Sequence, residues 1–461
     1  MSKKKKIRKR NVRKTKNKVI RPDFGQQNNE PRPPINKIVN PQIKKQEQML
    51  TKETIMVYSD YHKSVTGFAR QMAAILPGLR DKYNIVEMAI GAEPQHAIEE
   101  AQKYGNVVIP TNPQGGRAAN PSQYYGKDVL NKVLKEMNDK GVKPKFIFVN
   151  HDIQCFQFIG NVLKNNGIPI IYWYLLDNDF ICYEQLSLLS IPDIIIYQTE
   201  FSRKTVCEHL PCLDGPVIYP SIDTEWLKSV KPEQIFGSNE YLKKIDGKKV
   251  VFCNMKNQRR KNFAVMFEAI KIIDKRATTD IVFIIHCPPP IDTQLEALDL
   301  GQYLWRVNLS ENRMIINDKP VPNDIINAWY ELADLLVIPS CSEGLGMIFL
   351  EAFYKKVPVV STNYAASSEI LGNGRGYLIN PVITIFQNDK NVNWSYISAE
   401  DLANGIEYMV KADTQSFVDS GREFVDKYNS SRQTLELIRV FEQCLKMNEA
   451  YSNPLPVQLI I

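Results

Sequence analysis

Two glutamates eight residues apart flank a glycine pair in SCSEGLGMIFLEAFYKK, residues 340–356. An ionised carboxylate only accepts hydrogen bonds, so two vicinal hydroxyls are a natural partner for Glu343 or for Glu351. Gly344 and Gly346 let the backbone turn sharply and come close to a ligand. A helix opens directly after them, and its unpaired N–H groups and positive dipole end suit an anion. The plainer alternative for Glu351 is a carboxylate favoured near a helix N-terminus, with no ligand at all. A second cluster, NMKNQRRKNF at 254–263, packs Lys256, Arg259, Arg260 and Lys261 into six residues. It is either an exposed basic loop or a clamp for a diphosphate, with Arg supplying a planar fork and Lys a point charge.

Both clusters follow strand-like runs. DLLVIPS precedes the glutamate turn, and KKVVFCNM leads into the basic loop. Three further runs, DIVFIIHC, RMIIND and VPVVST, complete this set, with helical patterns in NFAVMFEAIKIID, NDIINAWYELA and MIFLEAFYK. An earlier set reads TIMVYSD, NIVEMAI, NVVIP, KFIFVNH, PIIYWYLL and DIIIYQT. The first helix of that set, SVTGFARQMAAILPGL, places Phe68, Met72, Ile75 and Leu76 on one face. Near-continuous Ile/Val runs alternating with amphipathic helices require parallel sheets covered on both faces. The expected class is therefore α/β, with two Rossmann-like doubly wound domains. Strand C-terminal edges are where such sheets bind ligands, and both clusters fall there.

The boundaries expected are a disordered basic tail at 1–51, a first domain at 52–222, a linker region at 223–248 and a second domain at 249–428. A C-terminal helix at 429–447 and a loose tail at 448–461 follow. The formal net charge of +7 conceals a division. Residues 1–50 hold 16 Lys and Arg against 3 Asp and Glu, leaving 42 basic and 48 acidic residues elsewhere. The folded part is mildly acidic, and the tail is a solvated segment, a nuclear address, or a contact for acidic membrane or nucleic acid through residues 1–21. No apolar run is long enough for a membrane span, and no apolar core follows the basic start as in a secretory signal. Eight cysteines are scattered without CxxC or zinc-finger spacing, which points to free thiols in a reducing, cytoplasmic compartment.

The stretch PSCSEGLG, EAFYKKVPVVST and SSEIL resembles the Glu-x7-Glu signature of retaining GT-B glycosyltransferases of the family 4 (group 1) type. NQRRKNF is similar to that family's basic diphosphate loop. SDYHKSVTGFARQM resembles its N-terminal glycine loop, and VIYPSID places Asp223 where the family has an aspartate. The resemblance implies two domains facing across a cleft and transfer of a sugar, of hexosyl type, from a nucleotide-diphosphate sugar to a hydroxyl with retained configuration. It implies Glu351 on the ribose hydroxyls and Glu343 on the donor sugar, with the amides of Gly344, Leu345, Gly346 and Met347 near that sugar. It places Lys256, Arg260 and Lys261 on the diphosphate, Gly67 beside it, and His151 and Glu343 as catalytic groups near the donor sugar. With cations and a helix N-terminus to neutralise the departing diphosphate, no cofactor or metal is expected beyond the donor as co-substrate.

Two other readings compete. A sugar-nucleotide 2-epimerase shares the fold and needs an acid/base set, for which His151 and Asp152 are the visible candidates. A non-catalytic scaffold could keep the fold and use the tail for membrane or nucleic acid. The donor's base and sugar, and the acceptor's class (glycan, protein, lipid or nucleic acid), are not written in these motifs.

Overall fold

The structure is a computed structural model that describes residues 52–115, 120–237, 240–289, 297–309 and 313–452. The tail expected at 1–51, with its contact through residues 1–21, lies outside the described residues, as does 453–461.

The first six runs form β1 (Thr54–Asp60), β2 (Asn84–Ile90), β3 (Val107–Pro110), β4 (Ile147–Asn150), β5 (Ile170–Tyr174) and β6 (Ile194–Tyr197), in the order 3-2-1-4-5-6. Every pairing is parallel, with Ser59 of β1 opposite Asn150 of β4. The five runs of the second set form β7 (Lys249–Asn254), β8 (Ile281–His286), β9 (Met314–Asn317), β10 (Leu335–Ile338) and β11 (Val359–Thr362), and a sixth strand that the pattern did not mark, β12 (Tyr377–Ile379), joins them. Its order, β12-β11-β10-β7-β8-β9, repeats the first topology. Strand order reverses between β1 and β4 and between β7 and β10. These are the switch points where doubly wound sheets open a crevice. A hairpin that the sequence pattern does not announce, β13 (Ile383–Gln387) with β14 (Val392–Tyr396), completes the sheets.

Five helices position the site. They are α1 (Gly67–Lys82), α2 (Phe263–Arg276), α3 (Asn323–Leu332), α4 (Met347–Tyr354) and α5 (Ser430–Ser452). In α1, Met72, Ile75, Leu76 and Leu79 are buried against β1 and β4, as their spacing predicts. Phe68 departs from that face. It is half-buried and stacks on the His151 ring at 5.0 Å, because it lies in the first turn, where the helix overhangs the strand ends. Thr66 caps α1 by accepting from the Ala69 N–H at 3.1 Å.

A closed triangle of buried amides locks α1 to the sheet. Gln71 donates to Gln198 at 2.9 Å, Gln198 to Asn150 at 3.0 Å, and Asn150 to Gln71 at 3.0 Å. Such a network fixes one arrangement because each unmade bond would leave a buried polar group unpaired. In the second half, Ile222, Leu227 and Ile245 join the core built on β7 to β12. The last helix returns to the first half, where Leu437, Val440, Phe441 and Cys444 of α5 pack on α1 and β1. Among the described residues no helix is long and apolar enough to cross a membrane, and all eight cysteines are free thiols.

Candidate active site

Glu343 closes the turn between β10 and α4. Ser340 Oγ donates to its Oε1 at 2.6 Å, Arg260 Nη1 lies 3.3 Å from Oε2, and Lys261 forms an ion pair with Oε1. Arg260 also donates to the Ser342 carbonyl at 2.8 Å, and its own carbonyl accepts from the Cys341 N–H at 2.8 Å. The basic loop is thus bolted to the glutamate turn through backbone as well as charge. Burial pushes the Glu343 carboxyl up, but Lys261 and Arg260 outweigh it and bring it from 4.5 down to about 2. Burial and the adjacent Arg260 push Lys261 down from 10.5 to about 8, with Glu343 opposing only in part. The buried pair is ionised at neutral pH.

Both glycines of the turn are needed for space. A Cβ on Gly344 would run into Leu175 of the first half, and one on Gly346, at φ +74°, would strike the Phe349 ring. Leu345 is buried in the second core, so it offers the cleft its backbone rather than its side chain.

Glu351 sits in α4 beyond the first turn and is 1 % exposed. Tyr330 of α3 donates to Oε2 at 2.9 Å, and Arg70 of α1 forms an ion pair with Oε1. Glu351 is a buried acceptor with specific partners from both halves of the chain.

Across the cleft, His151 follows β4. Its Nε2 lies 3.2 Å from Asp60 Oδ1, at the end of β1. Phe68 covers one face of the ring and Tyr125 meets it edge-on, with centroids 5.7 Å apart. Nδ1 is buried without a hydrogen-bond partner. Burial pushes the His151 pKa down, but the Asp60 carboxylate wins and the net shift is upward. Asp60 is lowered against its burial by His151, by the Thr66 hydroxyl and by the charge of Lys256. Of the basic loop, Lys261 and Arg260 meet Glu343. Arg259 turns away to Asp389 at 2.8 Å and lies over the Trp394 ring of the hairpin. Gly67 starts α1 opposite Met347, whose Cγ would be 3.9 Å from an added Cβ.

The loop after β5 seals the two halves together. The Asp177 carbonyl accepts from Ser342 Oγ. Asp179 accepts from the Tyr364 hydroxyl at 2.7 Å and from Asn393 Nδ2 at 2.8 Å. Glu369 accepts from the N–H groups of Glu200 and Phe201 at 3.0 and 2.6 Å. The structure thus brings Lys261 and Arg260 to Glu343, Arg70 to Glu351, Asp60 to His151 and Gly67 beside Met347. Asp60, Arg70, Asp177 and Tyr330 were not expected from sequence. Asp60 was legible as the polar end of a buried strand, whereas nothing local marks the other three.

Residues 247–386 match the family model for glycosyl transferases group 1. The putative teichuronic acid biosynthesis glycosyltransferase TuaC of Bacillus subtilis is 38% identical over 86 residues, 19% of this chain and 22% of that protein. The D-inositol 3-phosphate glycosyltransferase of Paenarthrobacter aurescens is 29% identical over 127 residues, 26% of this chain and 28% of that one. The matched stretches thus span about a quarter of these curated relatives. Among solved structures, Anabaena HepE in complex with UDP and glucose superposes with a TM-score of 0.63 at 16% identity, over 85% of this chain and 100% of that one. Sucrose-phosphate synthase from Thermosynechococcus elongatus gives 0.63 at 14% identity, over 86% and 100%. The described chain therefore has the GT-B fold, and its segment 247–386, which carries both glutamates and the basic loop, matches the glycosyl transferases group 1.

Proposed function

We propose that the protein is a retaining glycosyltransferase that moves a hexosyl group from a nucleotide-diphosphate sugar to an acceptor hydroxyl. The observation that carries this reading is the turn between β10 and α4. Glu343 on that turn and Glu351 in the helix that follows it are both buried carboxylates, and two cations are anchored against the first of them. The names of the partial relatives, and the UDP and glucose held in the HepE complex, support a nucleotide-sugar donor.

In this reaction the bond between the sugar C1 and the diphosphate oxygen breaks. The acceptor oxygen bonds to C1 on the same face, and its proton passes to the departing phosphate oxygen. The burden on the protein is to stabilise charge on the leaving diphosphate. Preorganised cations in a site shielded from water do this without reorganising. Lys261 and Arg260, with Lys256, form that set, and Gly67 leaves room for the phosphates beside α1. Glu343, kept ionised by its cations, receives sugar hydroxyls and cannot itself supply a proton near neutral pH. Glu351 receives the ribose hydroxyls. His151, held by Asp60, is the catalytic group beside the donor sugar in this reading.

A thermal-shift panel of nucleotide-sugars tests the reading, because a ligand that binds the native state raises its melting temperature with its affinity. One donor should stand out, and Glu351→Ala should weaken its calorimetric affinity by about tenfold or more, the worth of a charge-assisted hydrogen bond. Equal affinity in wild type and variant would remove the cleft assignment. Product analysis separates transfer from epimerisation, since an epimer formed without acceptor would favour the isomerase. Transfer should persist in EDTA, and a strict manganese requirement would contradict the proposed role of the cations.

A further inference from the structure

Arg70 lies one turn into α1 and reaches the second half of the chain. Its Nη1 pairs with Glu351 Oε1, and its guanidinium lies over the Trp226 ring, 4.3 Å from the centroid. With Tyr330 on Oε2, both oxygens of Glu351 are engaged. Arg70, Trp226, Met347 and Glu351 line one small cavity together with Ile222 and Asp223. The resting place of Arg70 satisfies only part of its fork, for Nε is buried without a hydrogen-bond partner.

This inference rests on the proposed function, in which Glu351 receives the ribose hydroxyls. A guanidinium and a ribose cannot both occupy the face of Glu351 that Arg70 now holds. Binding of the donor must therefore displace Arg70, and a displaced guanidinium inside a cleft needs a new anion. The anion that arrives with the ribose is the diphosphate attached to it. Arg70 springs from the N-terminal turn of α1, beside Gly67 and the Thr66 cap, where free N–H groups already favour phosphate.

We propose that Arg70 is a donor-binding residue that exchanges partners: it pairs with Glu351 and transfers its fork to the diphosphate when the ribose hydroxyls take the carboxylate. The exchange leaves Glu351 with Tyr330 and two neutral hydroxyl donors, and gives the leaving group a further planar cation. A nucleoside without phosphates must break the Arg70 to Glu351 pair with no anion to replace it. The diphosphate is therefore worth more to binding than its contacts with the basic loop alone.

The test uses calorimetry of the full chain with a nucleoside and with its diphosphate, the base being the one that stabilises most in the thermal-shift panel. Arg70→Gln should bind the nucleoside more tightly than wild type, because Glu351 is freed. The gain in affinity on adding the diphosphate should shrink by about tenfold or more, the worth of a charge-assisted pair. Arg70→Lys, which keeps the charge without the fork, should fall between and serves as the comparison if the glutamine variant folds poorly. An unchanged diphosphate gain, or a nucleoside bound more weakly by the variants, overturns the exchange. A wild type that binds neither ligand refutes the donor reading itself, a result distinct from a wild type that binds both with no dependence on Arg70.

Discussion

Lys261 serves two anions in succession, Glu343 in the empty protein and the diphosphate in the proposed complex. In the first role it neutralises a carboxylate that is 5 % exposed. Removing one partner of a buried pair leaves an uncompensated charge and costs about 3–5 kcal/mol. With Arg260 still 3.3 Å from Glu343, Lys261→Met should fall at the low end, near ~3 kcal/mol by chemical denaturation. Adding Glu343→Gln should recover much of that stability while leaving donor binding weak. A double variant no more stable than the single one would mean that Lys261 acts through packing. The second role gives a pH dependence. Burial and Arg260 bring Lys261 down to about 8, so in the free protein it is mostly neutral between there and its ordinary 10.5. A bound diphosphate favours the charged form and draws the proton back. Calorimetry at pH 9 in buffers of different ionisation enthalpy should show uptake approaching about one proton per site, and none at pH 6.5. Equal uptake at both pH values would place Lys261 away from the phosphates.

Among the elements, α5 and the hairpin depart most from what local pattern suggests. The apolar stripe of α5 was legible, but not its destination. Leu437, Val440 and Phe441 fill the groove between α1 and β1, and Gln433 bonds Ser221 and the Tyr219 carbonyl at the crossover. Phe441→Ala should therefore destabilise the first half by about 3–5 kcal/mol, although α5 follows the second half in sequence. Hydrogen exchange should show lost protection in β1. Loss confined to β7 through β12 would contradict the packing. The hairpin escaped notice because β13 is exposed on both faces and has no alternating burial to betray it. Its consequence is local but decisive. Asp389 and Trp394 capture Arg259, which leaves Arg260 and Lys261 as the cations on Glu343.

At the scale of the whole molecule, polar contacts from the loop after β5 join the two halves of the chain. Asp179 receives two of them, from Tyr364 and Asn393, and each is worth about 1 kcal/mol. Asp179→Ala should speed nucleotide association in stopped-flow experiments while leaving the melting temperature nearly unchanged. An unaltered rate would mean that the loop does not gate entry. The amino-acid sequence by itself determined the two parallel sheets, their strand order of appearance and the placement of both charged clusters at strand C-terminal edges. Burial on both sheet faces writes itself into unbroken Ile and Val runs, and a turn of Glu343, Gly344 and Gly346 announces itself locally. Only the tertiary structure decided which cation meets which carboxylate. Arg70 reaches Glu351 across 281 positions of chain, and His151 meets Asp60 across 91. Contacts of that separation follow from how the sheets twist and face each other, and no periodicity in a window of a dozen residues encodes them.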